Sequence, residues 1–163
     1  MAASLNVLFL CTHNSARSVL AECLLNHLGQ GRFRAFSAGS QPSGQVNPFA
    51  LQALGEAGVD TSGVCSKSWD TFAGEDAPVM DLIITVCDSA AGEICPVWPG
   101  HPATAHWGYA DPSATQGSDA ARLMAFRDTM ALIRRRLEIL VALPAERLQA
   151  LTLEQSARSL ANR

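Results

Sequence analysis

The chain has 163 residues, 48% of them hydrophobic and 17% charged, with a formal net charge of −3. That length predicts one domain with a full core, and the acidic balance disfavours nonspecific nucleic-acid binding, so an anionic ligand has to be captured by a local positive field. No apolar stretch approaches the length that spans a bilayer, and no basic segment precedes the short N-terminal apolar run, so the expectation is a cytoplasmic protein without membrane contact.

Residues 5–10, "LNVLFL", predict a short buried strand, followed by a turn over 11–16. A helix then carries Leu20, Leu24 and Leu28 on one face and ends near Gly29 and Gly31. "FRAFSAGS" (33–40) predicts a second strand that closes in small residues. Asn47 and Pro48 supply an N-cap and a first-turn proline for a helix ending near Gly58. Residues 65–73 are ambiguous, with a short helix as one reading. "DLIITV" (81–86) is β-branched and continuously apolar, as a parallel strand covered on both faces would be, and "AHWGY" (105–109) is a weaker strand. From Ser118 to about Leu143, the apolar residues Leu123, Phe126, Met130, Ile133, Leu137 and Leu140 recur at helical spacing. Pro144 opens another helical stretch, and Thr152 with Gln155 fits a capping box for a last short helix. Strand–helix alternation predicts an α/β fold, a parallel sheet with helices on both faces.

In such a sheet all strands run one way and ligands sit beyond their carboxyl ends. Cys11, Cys87 and Asp111 each follow a predicted strand, so three reactive side chains distant in sequence would lie along one edge. The five cysteines, an odd number without an export signal, favour a reducing compartment and thiols kept for reactivity.

The loop after the first strand, "CTHNSARS", places Cys11 six residues before Arg17, with Ser18 next. A tight loop leading into a helix N-terminus turns successive backbone N–H groups inward as a nest for a tetrahedral oxyanion. Thr12, His13, Asn14, Ser15, Ala16 and Ser18 are the candidate oxyanion-binding residues, and Arg17 can grip two of the oxygens with its planar fork. The same positive field stabilises a thiolate, making Cys11 a nucleophile aimed at the centre of the bound ion. Ser18 can donate to its sulfur. His13 is expected to face solvent, since backbone amides hold the anion, and Asn14 is expected to hold the loop's shape through Ser37.

At these residues the chain resembles the low-molecular-weight protein tyrosine phosphatase superfamily and, within it, the arsenate reductases of that fold. "VLFLCTHNSARS", "FSAGS", "VCDSAAGEICPVWPG" and "HWGYADPS" occur in the expected order over nearly the whole chain. The resemblance implies a four-stranded parallel sheet, a catalytic domain over residues 1–143, and a helical C-terminal extension over 144–163 packed on or near it. It implies a cytoplasmic enzyme with no organic cofactor, a monomer or weak homodimer. By position it makes Cys11 the nucleophile, Arg17 the oxyanion clamp and Asp111 the general acid.

Phosphatase and reductase chemistry begin alike, with thiolate attack and protonation of the leaving oxygen. A phosphatase finishes with water. A reductase needs a second thiol, for which Cys87 is the candidate, and Cys95 can then carry the disulfide outward to thioredoxin or a glutathione/glutaredoxin pair. Reduction of arsenate is the favoured expectation, and a phosphotyrosine or small phosphate-ester phosphatase using Cys11, Arg17 and Asp111 is the alternative. The segment after Asp111, "DPSATQG", lacks the aromatic residues that sandwich a phenyl ring in the tyrosine phosphatases. Ala16 stands where those phosphatases, and some reductases, carry a cysteine.

Competing readings of the remaining residues are mostly structural. Two unrelated buried cysteines at 87 and 95 remain an option, while zinc bound by Cys87, Cys95, His101 and His106 lacks the usual close ligand pairs. Cys23 fits the core with His27 on the surface, Cys65 has no reactive context, and Arg134-Arg135-Arg136 reads as the solvated face of its helix. Trp69, Trp98 and Trp107 serve as core or loop anchors. Glu22, Ser37 and Asp70 are candidates for a monovalent-cation site of the kind some relatives hold.

Overall fold

The computed structural model describes residues 4–72, 74, 76–86 and 103–144. Cys87, Cys95 and the helical stretches expected after Pro144 lie outside the described residues. Four strands, β1 (Leu5–Cys11), β2 (Phe33–Gly39), β3 (Leu82–Thr85) and β4 (Ala103–His106), form one parallel sheet in the order β2-β1-β3-β4. Among the described residues the helices are α1 (Arg17–Gly29), α2 (Pro48–Glu56) and α3 (Asp119–Val141), with 3-10 turns at Trp69–Phe72 and Pro112–Ala114.

The pleat sorts β1 between two cores. Val7, Phe9 and Cys11 face the larger cluster with residues of α1, α2 and α3, whereas Leu8 and Leu10 face a smaller one with Phe72, Met80 and Ile83. Being buried on both faces explains why β1 is continuously apolar from Val7 to Cys11. In α3, Leu123, Phe126, Ile133, Leu137 and Leu140 are buried and Met130 is partly so, following the periodicity of the sequence. Asn47 caps α2 by accepting from Phe49 N at 2.9 Å, with Pro48 at the first helical position, and Ser118 caps α3. The exposed carbonyls of Val141, the last residue of α3, and of Leu143 just beyond it receive the two terminal nitrogens of Arg32 at 2.8 and 2.9 Å.

The open 65–73 segment holds the short helix that one reading gave it, and one strand boundary moves. The ambiguous 65–73 segment is a 3-10 turn over Trp69–Phe72, whose Phe72 and Trp69 cover the smaller core. The last strand begins at Ala103 rather than 105. It is an edge strand with one covered face: Ala105 and Trp107 are buried while Thr104 and His106 are exposed. Its small first residues carry little strand signal, and pairing with β3 supplies what propensity lacks. Extended pairing continues past its end, with Trp107 N donating to Thr85 O at 2.7 Å and Tyr109 N to Val86 O at 3.3 Å. Among the described residues no helix is long and apolar enough to cross a membrane.

Candidate active site

Parallel strands bring the carboxyl ends of β1, β3 and β4 to one edge, and the loop from Thr12 to Ala16 sits there. Its shape is set by where its carbonyls go. Thr12 O accepts from Gln41 N at 2.9 Å, His13 O from Ser43 N at 3.0 Å, and Ser15 O from Asn47 N at 2.9 Å. In a planar trans peptide the next residue's N–H points the opposite way. The amides of His13, Asn14 and Ala16 are therefore turned away from the 41–47 segment, as a nest requires. Ala16 precedes α1 with no side-chain cap, so the first-turn donors of the helix are not spent on one.

Asn14 pins this conformation. Its φ of 49° lies in the left-handed region that asparagine tolerates better than most residues. Fully buried, it donates from Nδ2 to Ser18 Oγ and Ser37 Oγ, both at 2.9 Å, and accepts at Oδ1 from Lys67 N at 2.9 Å. Ser37 Oγ in turn donates to Glu22 Oε1, and Lys67 Nζ lies 4.0 Å from the same oxygen. Burial pushes the Glu22 carboxyl above its ordinary range, opposed by the Ser37 hydrogen bond and the Lys67 charge. The expected Asn14–Ser37 bond is thus present, and Ser18 accepts from Asn14.

Gly39 completes the cradle. A Cβ there would meet Thr12 O at 2.5 Å, Cys11 O at 2.9 Å and Asn14 N at 3.0 Å, all backbone atoms of the loop. Glycine is the residue that lets β2 approach this closely. The sequence placed Ser37 of the "FSAGS" run against the loop, but gave no sign that Gly39 would approach its backbone this closely.

Cys11 is buried at the end of β1, with 5% of its surface exposed. Arg17, at the start of α1, donates from Nη1 to Tyr109 O at 2.9 Å and places Nη2 3.6 Å from Asp111 Oδ2. Its Nε is buried with no hydrogen-bond partner among the described residues, which leaves a charged donor for an oxyanion. Asp111 is about two-fifths exposed; its Oδ1 accepts from Ser113 N at 2.9 Å and Ser113 Oγ at 2.7 Å, which orients the carboxylate. Cys11, Arg17 and Asp111, up to 100 residues apart in sequence, thus belong to one rim.

The other expected residues divide. His13 is exposed, as its backbone role predicts. Cys23 is buried, and its thiol is pushed up to about 12 by burial, then by the Glu22 and Asp60 charges, so it is no thiolate donor at neutral pH. Cys65 is exposed. Of the cation-site candidates, Glu22 and Ser37 meet, whereas Asp70 is exposed and the charge beside Glu22 is the Lys67 ammonium. Among the described residues no His, Cys, Asp and Glu cluster could hold a metal. Cys87, Cys95 and His101 of the zinc alternative lie outside the described residues. Sequence reasoning missed Gly39, the Lys67 backbone and the Tyr109 carbonyl. The last two act through main-chain atoms, which leave no residue-type signal.

Comparisons with known proteins bear on the family and the fold. Residues 6–155 match the low molecular weight phosphotyrosine protein phosphatase family. An arsenate reductase of Halalkalibacterium halodurans is 36% identical over 132 residues, spanning 81% of this chain and 91% of that protein. One from Bacillus subtilis is 35% identical over the same shares. The crystal structure of an arsenate reductase from Archaeoglobus fulgidus superposes with a TM-score of 0.65 at 30% identity, covering 84% of this chain and 99% of that one.

Proposed function

The chain belongs to the low molecular weight phosphotyrosine protein phosphatase family, and we propose that within it the chain reduces arsenate to arsenite through Cys11, Cys87 and Cys95. The Cys11 thiolate attacks arsenic while the loop amides and Arg17 hold the oxyanion charge. Asp111 protonates the departing oxygen, which leaves as water, and a Cys11–arsenic(V) bond remains. The Cys87 thiolate then attacks Cys11 Sγ. The sulfur–arsenic bond breaks, its electron pair passes to arsenic, and arsenite leaves with a Cys11–Cys87 disulfide behind. Cys95 attacks Cys87 and frees Cys11, and a dithiol or glutathione-type reductant returns two electrons to the Cys87–Cys95 disulfide. The reducing cytoplasm supplies such thiols.

The observation that carries this reading is the hydrogen bond from Val86 N to Leu10 O at 2.9 Å. It sets the chain one peptide before Cys87 beside the chain one residue before Cys11. A water-dependent phosphatase has no use for a cysteine next in sequence after Val86. The absence of aromatic residues after Asp111 in "DPSATQG" also disfavours a phenyl-ring substrate.

The test is arsenate turnover with a thiol reductant, followed by nonreducing peptide mapping. Cys95→Ser should stall after one turnover with Cys11 joined to Cys87. Normal cycling of that variant removes the relay. Hydrolysis of p-nitrophenyl phosphate by Cys87→Ser at the wild-type rate, without arsenate reduction by the wild type, would establish the phosphatase instead.

A further inference from the structure

Three consecutive arginines, 134–136, would be read from sequence as a solvated helix face, and the structure separates them. Arg134 Nε lies 3.6 Å from Glu138 Oε2 on the half-exposed side of α3, and Arg135 is exposed. Arg136 turns inward. Its guanidinium carbon lies 5.1 Å from the ring centroid of Tyr109 and 5.9 Å from that of Trp107. Trp107 is fully buried, and the two rings, separated by Gly108, stand on the same side of the extended chain that leaves β4.

That stretch carries two parts of the active site. Tyr109 O is the acceptor for Arg17 Nη1 at 2.9 Å, and Asp111 follows two residues later. Backbone pairing weakens as the chain nears this point, from 2.7 Å at Trp107 N to 3.3 Å at Tyr109 N. Side-chain anchoring must then supply the rigidity that main-chain pairing no longer provides. A planar cation against two aromatic rings, partly removed from water, supplies it with direction as well as attraction.

We propose that Arg136 is a positioning residue for the oxyanion clamp, packing Tyr109 and Trp107 against α3 and thereby fixing the carbonyl that aims Arg17. The inference rests on the arsenate-reductase reading for its biological meaning, but its test is oxyanion binding itself. Inorganic phosphate, an arsenate analogue, is titrated calorimetrically into the full chain. Arg136→Met should weaken phosphate binding about fivefold, and Arg136→Lys, which keeps the charge but loses the planar stack, about twofold. The kcat/KM for arsenate should fall in parallel.

A double-mutant cycle with Arg17→Lys separates positioning from a general electrostatic contribution. If Arg136 acts through Arg17, adding Arg136→Met to Arg17→Lys should change phosphate affinity by less than about twofold. A full fivefold loss in that background would show an independent field effect and overturn the proposal. So would wild-type phosphate affinity in Arg136→Met, whatever its melting temperature. If Arg136→Met fails to fold, Arg136→Gln, which also removes both the charge and the planar stack and should also weaken binding about fivefold, carries the same cycle. Tyr109 is the chain's single tyrosine, so phenolate absorbance checks the contact directly. Burial holds the Tyr109 phenol above its usual range and the Arg136 charge pulls it back, so Arg136→Met should ionise at higher pH. Lack of arsenate turnover by the wild type would defeat the proposed function while leaving the phosphate cycle able to decide the role of Arg136.

Discussion

Substituting Gly39 by alanine tests the cradle most sharply, because the obstruction is backbone on every side. The new Cβ would sit 2.5 Å from Thr12 O, 2.9 Å from Cys11 O and 3.0 Å from Asn14 N. Ordinary carbon–oxygen contact begins near 3.3 Å, so the Thr12 carbonyl must retreat by about 0.8 Å. That carbonyl is tied to Gln41 N, and the same peptide carries the inward-facing His13 amide. Overpacking of this kind costs about 1–3 kcal/mol, or roughly 2–12 °C in Tm for a chain of this size. Displacing catalytic groups by about 1 Å costs up to about a hundredfold in rate, so kcat/KM for arsenate should fall on the order of ten- to a hundredfold. The assay is arsenate turnover with thermal unfolding alongside. Gly55→Ala is the control: its Cβ meets nothing within 4 Å, and in α2 alanine should stabilise by about 0.5–1 kcal/mol. Wild-type turnover and Tm in Gly39→Ala would refute the close approach as the reason for this glycine.

Asn14→Ala removes three hydrogen bonds, two of them buried and one part-buried, and leaves alanine at a left-handed φ, so chemical denaturation should show a loss of about 3 kcal/mol; a loss below about 1 kcal/mol would mean that the network does not hold the loop. Cys23, shifted from the ordinary 9.0 to about 12, should resist alkylation at pH ~8 while exposed Cys65 is modified, as peptide mass mapping will show. Its folded-state value is raised, so the unfolded thiol loses its proton first as pH climbs. Stability attributable to Cys23 is therefore complete below pH 9 and declines between pH 9 and about 12. Cys23→Ala should lack that part of the alkaline decline, and identical alkaline slopes for the two proteins would contradict it.

Residue order alone determined the features that depend on local chemistry. Cys11 six residues before Arg17 between a strand and a helix, the Asn47-Pro48 helix start, the apolar run of β1 from Val7 onward and the period of α3 are all written in neighbouring residues. They sufficed to indicate a parallel α/β fold and an oxyanion loop with a nucleophile. Tertiary structure decided what depends on contacts across many residues. The inward turn of the loop amides is enforced by main-chain bonds from residues 41, 43 and 47, and Gly39 is needed because β2 runs against that loop. β4 begins where β3 offers partners, not where propensity rises. Arg136 departs from the solvated face assigned to its neighbours because two rings from another segment receive it. A side chain's type limits what it can bind, but only the packed chain brings the second group within reach.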